Sequence, residues 1–488
     1  MHSDRLHYLV IVPVLVAAFF SFLYLDTKSF WLDEVYSVSF AELSWSRLWA
    51  LICQSEANAS PYYVLLKIWT GVFGDGEFAA RSLSAIFGIG AVFMTCAIGV
   101  RLFDIRTGLA AGLILAVNAF FIRYAQEARG YTLVLLLVTF SMYLFIRAIE
   151  SQQYKYYVAL GLTNALVLYA HFCGFFVLVA QFISLVFVPP GTIRWKRALT
   201  CAMVTASLAV PLGVFMLTHQ SNPLGWVSKP SLRDLYSLFK RITGTEKGNF
   251  LQRMLFVSYF IPCFLSFVYA IRILVRLKRS QLLWRYGLLL CWFFVPILSL
   301  YLVSIFKPAF VSRYLILCLP GLVLLAGAGL LSFRTKRLYM VGTAILLILS
   351  LHAVFYVYYP DKKEDWRSAA RLIAQNAKAG DAIFFYGPPA IIPFEYYYRK
   401  MNRRTDTLVS VYPAPLGGPL LTWTSNPSES MLESLNKRFS RLWLVLAYDV
   451  IPGYGWDSRP IIHAVERNYV NRENISLTGI NIRLYEKQ

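Results

Sequence analysis

Two adjacent carboxylates, Asp33 and Glu34, stand in the run Trp31-Leu32-Asp33-Glu34, just where the first hydrophobic stretch ends. An Asp costs about 2.5–3.5 kcal/mol at mid-helix in a membrane and less at the interface, so a pair there implies water, a cation or a reaction. A carboxylate of this kind can take a proton from a hydroxyl. Further along, Arg81, Arg123, Arg129, Lys307 and Arg313 supply cations, with Glu56 and Glu127 among them. Arginine recognises phosphate oxygens through a planar, bidentate fork. Taken singly, each arginine is explained as well by snorkelling or an ion pair, and the acids by a solvated helix end. Taken together they are the parts of a group transfer, a base for a hydroxyl and cations for a departing phosphate.

The elements that must position them are membrane helices. Of 488 residues, 58% are hydrophobic and only 15% charged, with a mean hydropathy of +0.54. Soluble domains carry nearer ~25% charged residues. Apolar runs fall at about 8–25, 80–101, 107–122, 131–147, 156–172, 174–188, 198–217, 254–277, 286–305, 314–331 and 338–357, which predicts about eleven transmembrane helices. His171-Phe172-Cys173-Gly174 reads as a tight turn between two of them. The net charge of +21 sits in short clusters between the runs, not in one stripe, which argues against nucleic acid. With eleven spans, Arg5, Arg101, Arg106, Arg147, Lys155, Arg194, Lys196, Arg197, the cluster 272–285 and Arg334, Lys336 and Arg337 all fall on one side. By the positive-inside rule that side is the cytoplasm. The N-terminus is then cytoplasmic and the tail extracytoplasmic. The first run, Leu6 to Leu25, has no small-residue cleavage site after it and reads as a retained helix. The seven cysteines are scattered through apolar sequence without paired spacing and read as buried hydrophobes.

Residues 1–358 therefore read as a transmembrane domain and 359–488 as a small extracytoplasmic α/β domain. The outer loop 26–79 holds the acidic motif and two amphipathic stretches, 41–53 and 61–73; a second outer loop, 218–253, holds a short helix near 231–241. In the tail the patterns predict helices at 364–378, 389–400 and 428–438 and strands at 381–386, 441–447 and 476–485. Gly453-Tyr454-Gly455 lacks the setting of a nucleotide fingerprint, so no nucleotide cofactor is expected.

A polyprenyl phosphate carrying a sugar would match these parts, with its tail in lipid and its phosphate at the outer surface. Breaking the sugar–phosphate bond releases a phosphate monoester, a good leaving group that needs no general acid. A glycosidase differs, because it protonates its leaving oxygen. The segments FWLDEVYS, EANASPYYVLLKIW, GDGEFAARSLSAIFG (74–88), YAQEARGYTL (124–133), PAFVSRYLILCLPGL (308–322) and DWRSAARLI (365–373) occur in this order. As an ordered set they resemble the GT-C membrane glycosyltransferases, in the branch of protein O-mannosyltransferases and lipid A aminoarabinose and galacturonic acid transferases. The resemblance implies a GT-C-like fold and a polyprenyl-phosphate-linked sugar donor. It implies a lipid, glycan or protein acceptor and a bacterial inner or plasma membrane location. Carried over by position, Asp33 is the base, and Glu34 assists acceptor or metal binding. Arg81, Arg129 and Arg313 fall to the carrier phosphate. Where the family has His or Asn, two prolines and a Leu before its Tyr-Tyr, this chain has Asn58-Ala59-Ser60-Pro61. Glu56 is then a candidate acidic partner beside Glu127, and Tyr62 and Tyr63 are candidates for stacking on sugar faces or for plain aromatic packing. A divalent metal would fall to Glu34 and Glu56. His171 reads more readily as a satisfied polar group between helices than as a ligand.

Two rival functions remain. A transporter or lipid-linked sugar flippase would show repeated halves and ionisable groups near the midplane; this chain shows no repeat, and its unexpected charges lie at one face. A membrane anchor for a docking tail would not need so many spans.

Overall fold

The computed structural model describes residues 8–219, 227–277, 280–333, 335–361, 363–401, 408–412, 438–447 and 458–488. The chain divides into two compact units, Met1–Leu25 with Phe40–Asp361, and Asp26–Ser39 with Lys362–Gln488.

The first unit is helical. Seven of its described helices are long and apolar enough to cross a membrane: Glu77–Leu102, Tyr131–Ser151, Trp195–Thr218, Phe250–Arg276, Gln281–Phe306, Ser312–Leu330 and Lys336–Tyr358. An eighth is the pair Ile105–Ala116 and Ala119–Ala125, bent by 64°. Shorter helices at Tyr8–Phe22, Tyr154–Ala170 and Gly174–Ser184 occupy the other stretches expected to span. All eleven expected stretches are thus helical, and seven or eight of them meet the length and composition of a span. Outside the spans, Trp45–Gln54, Ser60–Phe73 and Leu232–Thr243 form the helices expected in the two loops. The last starts on a Ser231–Asp234 capping box and ends at Gly244, whose φ of 73° suits only a residue without a Cβ.

Two buried amide side chains in this unit are answered by other polar groups, as an apolar surrounding demands. At the bend, Asn118 Oδ1 accepts the Phe121 N–H (2.9 Å), and its amide donates to the Ile242 carbonyl (2.9 Å) and the Tyr259 hydroxyl (3.2 Å). Gln126 donates to the carbonyls of Phe20 (2.9 Å) and Leu23 (2.7 Å) and accepts from Tyr358 (2.7 Å). That one side chain ties together the first helix, the bent pair and the last span.

The second unit carries a five-stranded sheet in the order β2-β1-β3-β5-β4. The strands are β1 (Asp381–Tyr386), β2 (Leu408–Tyr412), β3 (Arg441–Ala447), β4 (Tyr469–Leu477) and β5 (Ile480–Lys487). β1 runs parallel to β2 and β3, while β5 is antiparallel to β3 and β4. Trp366–Asn376 and Ile391–Met401 realise the helices expected at 364–378 and 389–400. The closing strand is instead a hairpin, turned beside Gly479 at φ 69°. Residues 428–437 of the expected third helix lie outside the described residues. β2 and the helix Arg459–Glu466 were not expected, each being too short to carry a readable period.

Small residues set the close helix approaches. A Cβ on Gly99 would lie 2.7 Å from Gly108 Cα, and one on Gly329 would collide with the Pro262 carbonyl. We expect Gly329→Ala to cost about 1–3 kcal/mol, read as a lower midpoint of thermal inactivation in detergent. An unchanged midpoint would show that the helix at Pro262 does not approach this closely.

Candidate functional site

Asp33 and Glu34 lie in the first turn of the helix Leu32–Glu42, where exposed N–H groups and the helix dipole favour negative charge. The two differ in surroundings. Asp33 is half-buried, and its carbonyl accepts the Ser37 hydroxyl at 3.2 Å. Glu34 is 0% exposed; its Oε2 meets Lys363 Nζ at 3.1 Å and the Trp31 N–H at 3.4 Å. The Lys363 ammonium also lies 5.5 Å from the centre of the Trp31 ring. Sequence reasoning missed Lys363, which looks like one solvated charge among several where the polar tail begins.

In the first unit the structure brings four of the quoted segments together. The Tyr62 hydroxyl pairs with Ser84 Oγ (2.8 Å), which lies 3.1 Å from the Arg129 carbonyl, and Thr132 Oγ1 donates to the Ser84 carbonyl (2.7 Å). Asn58 Oδ1 accepts the Phe172 N–H at 3.1 Å, joining the outer loop to the turn that holds His171. The His171 ring lies 4.7 Å from that of Tyr314, next to Arg313. Arg129 and Arg313 lie 5.9 and 5.8 Å from the rings of Tyr131 and Tyr314. Glu127 is buried in the turn before Arg129, and Glu56 is half-buried at the end of the helix Trp45–Gln54.

Other candidates also make contacts within the first unit. Arg81 is 2% exposed and donates to the Leu25 carbonyl at 2.9 Å, closing the end of the first helix. Tyr62 and Tyr63 are buried, the latter against Phe40 at 5.2 Å. Arg123 pairs with Asp361 at 2.7 Å.

His171 reports on the charge around it. Burial, then the positive charges of Arg129 and Arg313, hold its pKa down to about 3. Its Nδ1 accepts the Cys173 N–H at 3.1 Å, so the ring is neutral with its proton on Nε2. The satisfied-group reading of this histidine agrees with that bond. Two guanidinium groups therefore act on one buried point, an arrangement suited to an anion.

Among the described residues, no group of three or more His, Cys, Asp or Glu is placed to hold a metal ion. Glu34, one of the two candidate ligands, already faces an ammonium.

Comparison with known proteins places this geometry on a known fold. Residues 61–216 match the family model described as dolichyl-phosphate-mannose-protein mannosyltransferase. No curated protein matches the chain. Among solved structures, ArnT from Cupriavidus metallidurans bound to undecaprenyl phosphate is 13% identical, covers 97% of both chains and has a TM-score of 0.63. The apo state of the same protein gives 14% and 0.58. The Archaeoglobus fulgidus oligosaccharyltransferase in complex with Zn and sulfate is 14% identical over 98% of this chain and 73% of its own, with a TM-score of 0.54. The chain is a multi-span helical membrane protein with the GT-C fold, as its ordered segments led us to expect.

The histidine gives a pH test. With a folded pKa near 3 against an ordinary 6.5, only the unfolded chain gains this proton as pH falls between those values. Stability is unaffected above that window and declines within it. His171→Gln removes the penalty, so the gap in thermal midpoint between wild type and variant should narrow from about pH 7 to about pH 5. A constant gap would mean that His171 is not held neutral.

Proposed function

We propose that this protein is an integral membrane, inverting glycosyltransferase that moves a sugar from a polyprenyl-phosphate carrier to an extracytoplasmic hydroxyl. Asp33 is the base, and Arg129 and Arg313 hold the carrier phosphate. The observation that carries this reading is the contrast between the two neighbouring acids. Glu34 is sealed in and charge-compensated, whereas Asp33 keeps part of its surface accessible to an incoming hydroxyl. The family match over residues 61–216, the shared fold and the undecaprenyl phosphate bound in ArnT support the class of donor.

A cavity of about 310 Å³ supports it further. Phe239, Phe256, Tyr259, Phe264, Phe293 and Leu322 line it, from helices of the first unit, and its wall is almost wholly carbon. Such a wall takes a hydrocarbon chain and repels a soluble sugar nucleotide.

The reaction then runs as follows. The acceptor oxygen attacks the anomeric carbon from the face opposite the phosphate. As that bond forms, the carbon–oxygen bond to phosphate breaks and its electron pair leaves with the phosphate oxygen. Asp33 takes the hydroxyl proton, and configuration inverts. The growing charge on the phosphate meets two guanidinium groups, whose donors need no reorganisation. Arg81 fastens the end of the first helix, and Tyr62 and Tyr63 pack the loop. The N-terminus faces the cytoplasm, and the tail domain lies on the extracytoplasmic side with the acceptor.

The test is incubation of purified protein in lipid with a panel of radiolabelled polyprenyl-phosphate sugars, mannose, galacturonic acid and aminoarabinose among them. Label should pass to an acceptor and the carrier return as free phosphate. Return of intact donor across the bilayer would identify a flippase instead. Asp33→Asn keeps the size and removes the base, and should cost about 10²–10⁴-fold in kcat. Full turnover in that variant refutes the role of Asp33.

A further inference from the structure

The stretch that carries the acidic pair belongs to the same compact unit as the C-terminal residues, more than three hundred positions away. Three side chains at the start of that domain and two from its second helix hold it. Arg367 donates through its guanidinium to the Asp26 carbonyl (2.9 Å) and through its N–H to Ser29 Oγ (3.3 Å). Ser29 in turn donates to Asp365 (3.2 Å), which also caps the helix Trp366–Asn376 through the Ser368 N–H (3.1 Å). The buried Phe30 N–H donates to the Tyr397 hydroxyl at 2.7 Å, and its ring lies 5.6 Å from that of Tyr396. Last comes Lys363 on Glu34 at 3.1 Å.

Lys363 meets a charge, and that charge is fully buried. A carboxylate out of water needs a cation against it, and removing one partner of a buried pair strands the other. Glu34 also accepts the Trp31 N–H at the mouth of the helix. Its orientation therefore sets where the first helical turn begins. Asp33 is the preceding residue in that turn, so its direction follows.

We infer that Lys363 is a positioning residue for the reaction, clamping Glu34 so that the first turn of the helix presents Asp33 to the acceptor. The C-terminal domain is then part of the catalytic machinery as well as an outer appendage. This rests on Asp33 being the base, as proposed above. Misplacing a reacting group by about 1 Å can cost on the order of 10²-fold in rate, and a clamp acts on that quantity, not on affinity for the carrier.

The experiment combines Lys363→Met, Lys363→Arg, Glu34→Gln and the double variant Glu34→Gln/Lys363→Met with two readouts. The first is transfer from the polyprenyl-phosphate sugar that the wild type uses. Lys363→Met should lower kcat by about 10- to 100-fold and leave KM for the donor within about twofold. Lys363→Arg should recover most of the loss, and the double variant should be no worse than the poorer single variant. The second readout is amide hydrogen exchange of residues 26–39, which should lose protection in Lys363→Met while β1 and β3 keep theirs. Wild-type kcat in Lys363→Met, additive losses in the double variant, a change confined to KM, or unaltered exchange at 26–39 each overturns the inference. Should the wild type transfer no sugar at all, the proposed function fails, and the exchange readout still judges the clamp by itself.

Discussion

A carboxylate is costly to bury unless a cation or hydrogen-bond donors meet it, and the fully buried Glu34 meets Lys363 at 3.1 Å. The energetic value of such a pair is small or negative compared with apolar packing in its place. Its value is geometric. Glu34 joins the Lys363 ammonium to the Trp31 N–H at the mouth of one helix. The neighbouring Asp33 is half-buried.

The helical unit obeys the same rule with neutral groups. Asn118 occupies the break in the bent helix, where free backbone donors and acceptors would otherwise face hydrocarbon. Gln126 gathers carbonyls at the end of the first helix and takes the Tyr358 hydroxyl. Ser141, Asn164 and Gln181 make a further polar knot among three consecutive helices. Asn118 and Gln126 join helices that are distant in the chain. At His171, burial and then the charges of Arg129 and Arg313 disfavour protonation of the ring.

The membrane part was legible because its signal is local. Length, hydropathy and the turn at 171–174 are properties of short windows, and every expected stretch proved helical. The bend at Asn118 was not legible, since an Asn within an apolar run gives no sign of its partners. In the tail, β1, β3 and two helices were readable from alternation and period, whereas β2 and the eight-residue helix Arg459–Glu466 were too short. The candidate arginines rest on an argument about which membrane side should lack them. The same argument included Arg81, whose hydrogen bond to Leu25 only the folded chain reveals.

By itself, then, the sequence determined a many-span membrane protein with an acidic pair at the end of its first helix, arginine-bearing turns and a small α/β tail. It did so because burial in lipid and helix period are written in neighbouring residues. Which acid is enclosed, and that Lys363 encloses it, was decided only by tertiary structure. A contact between residues 329 positions apart leaves no local trace, and a lysine that neutralises a buried charge looks in sequence like any solvated one.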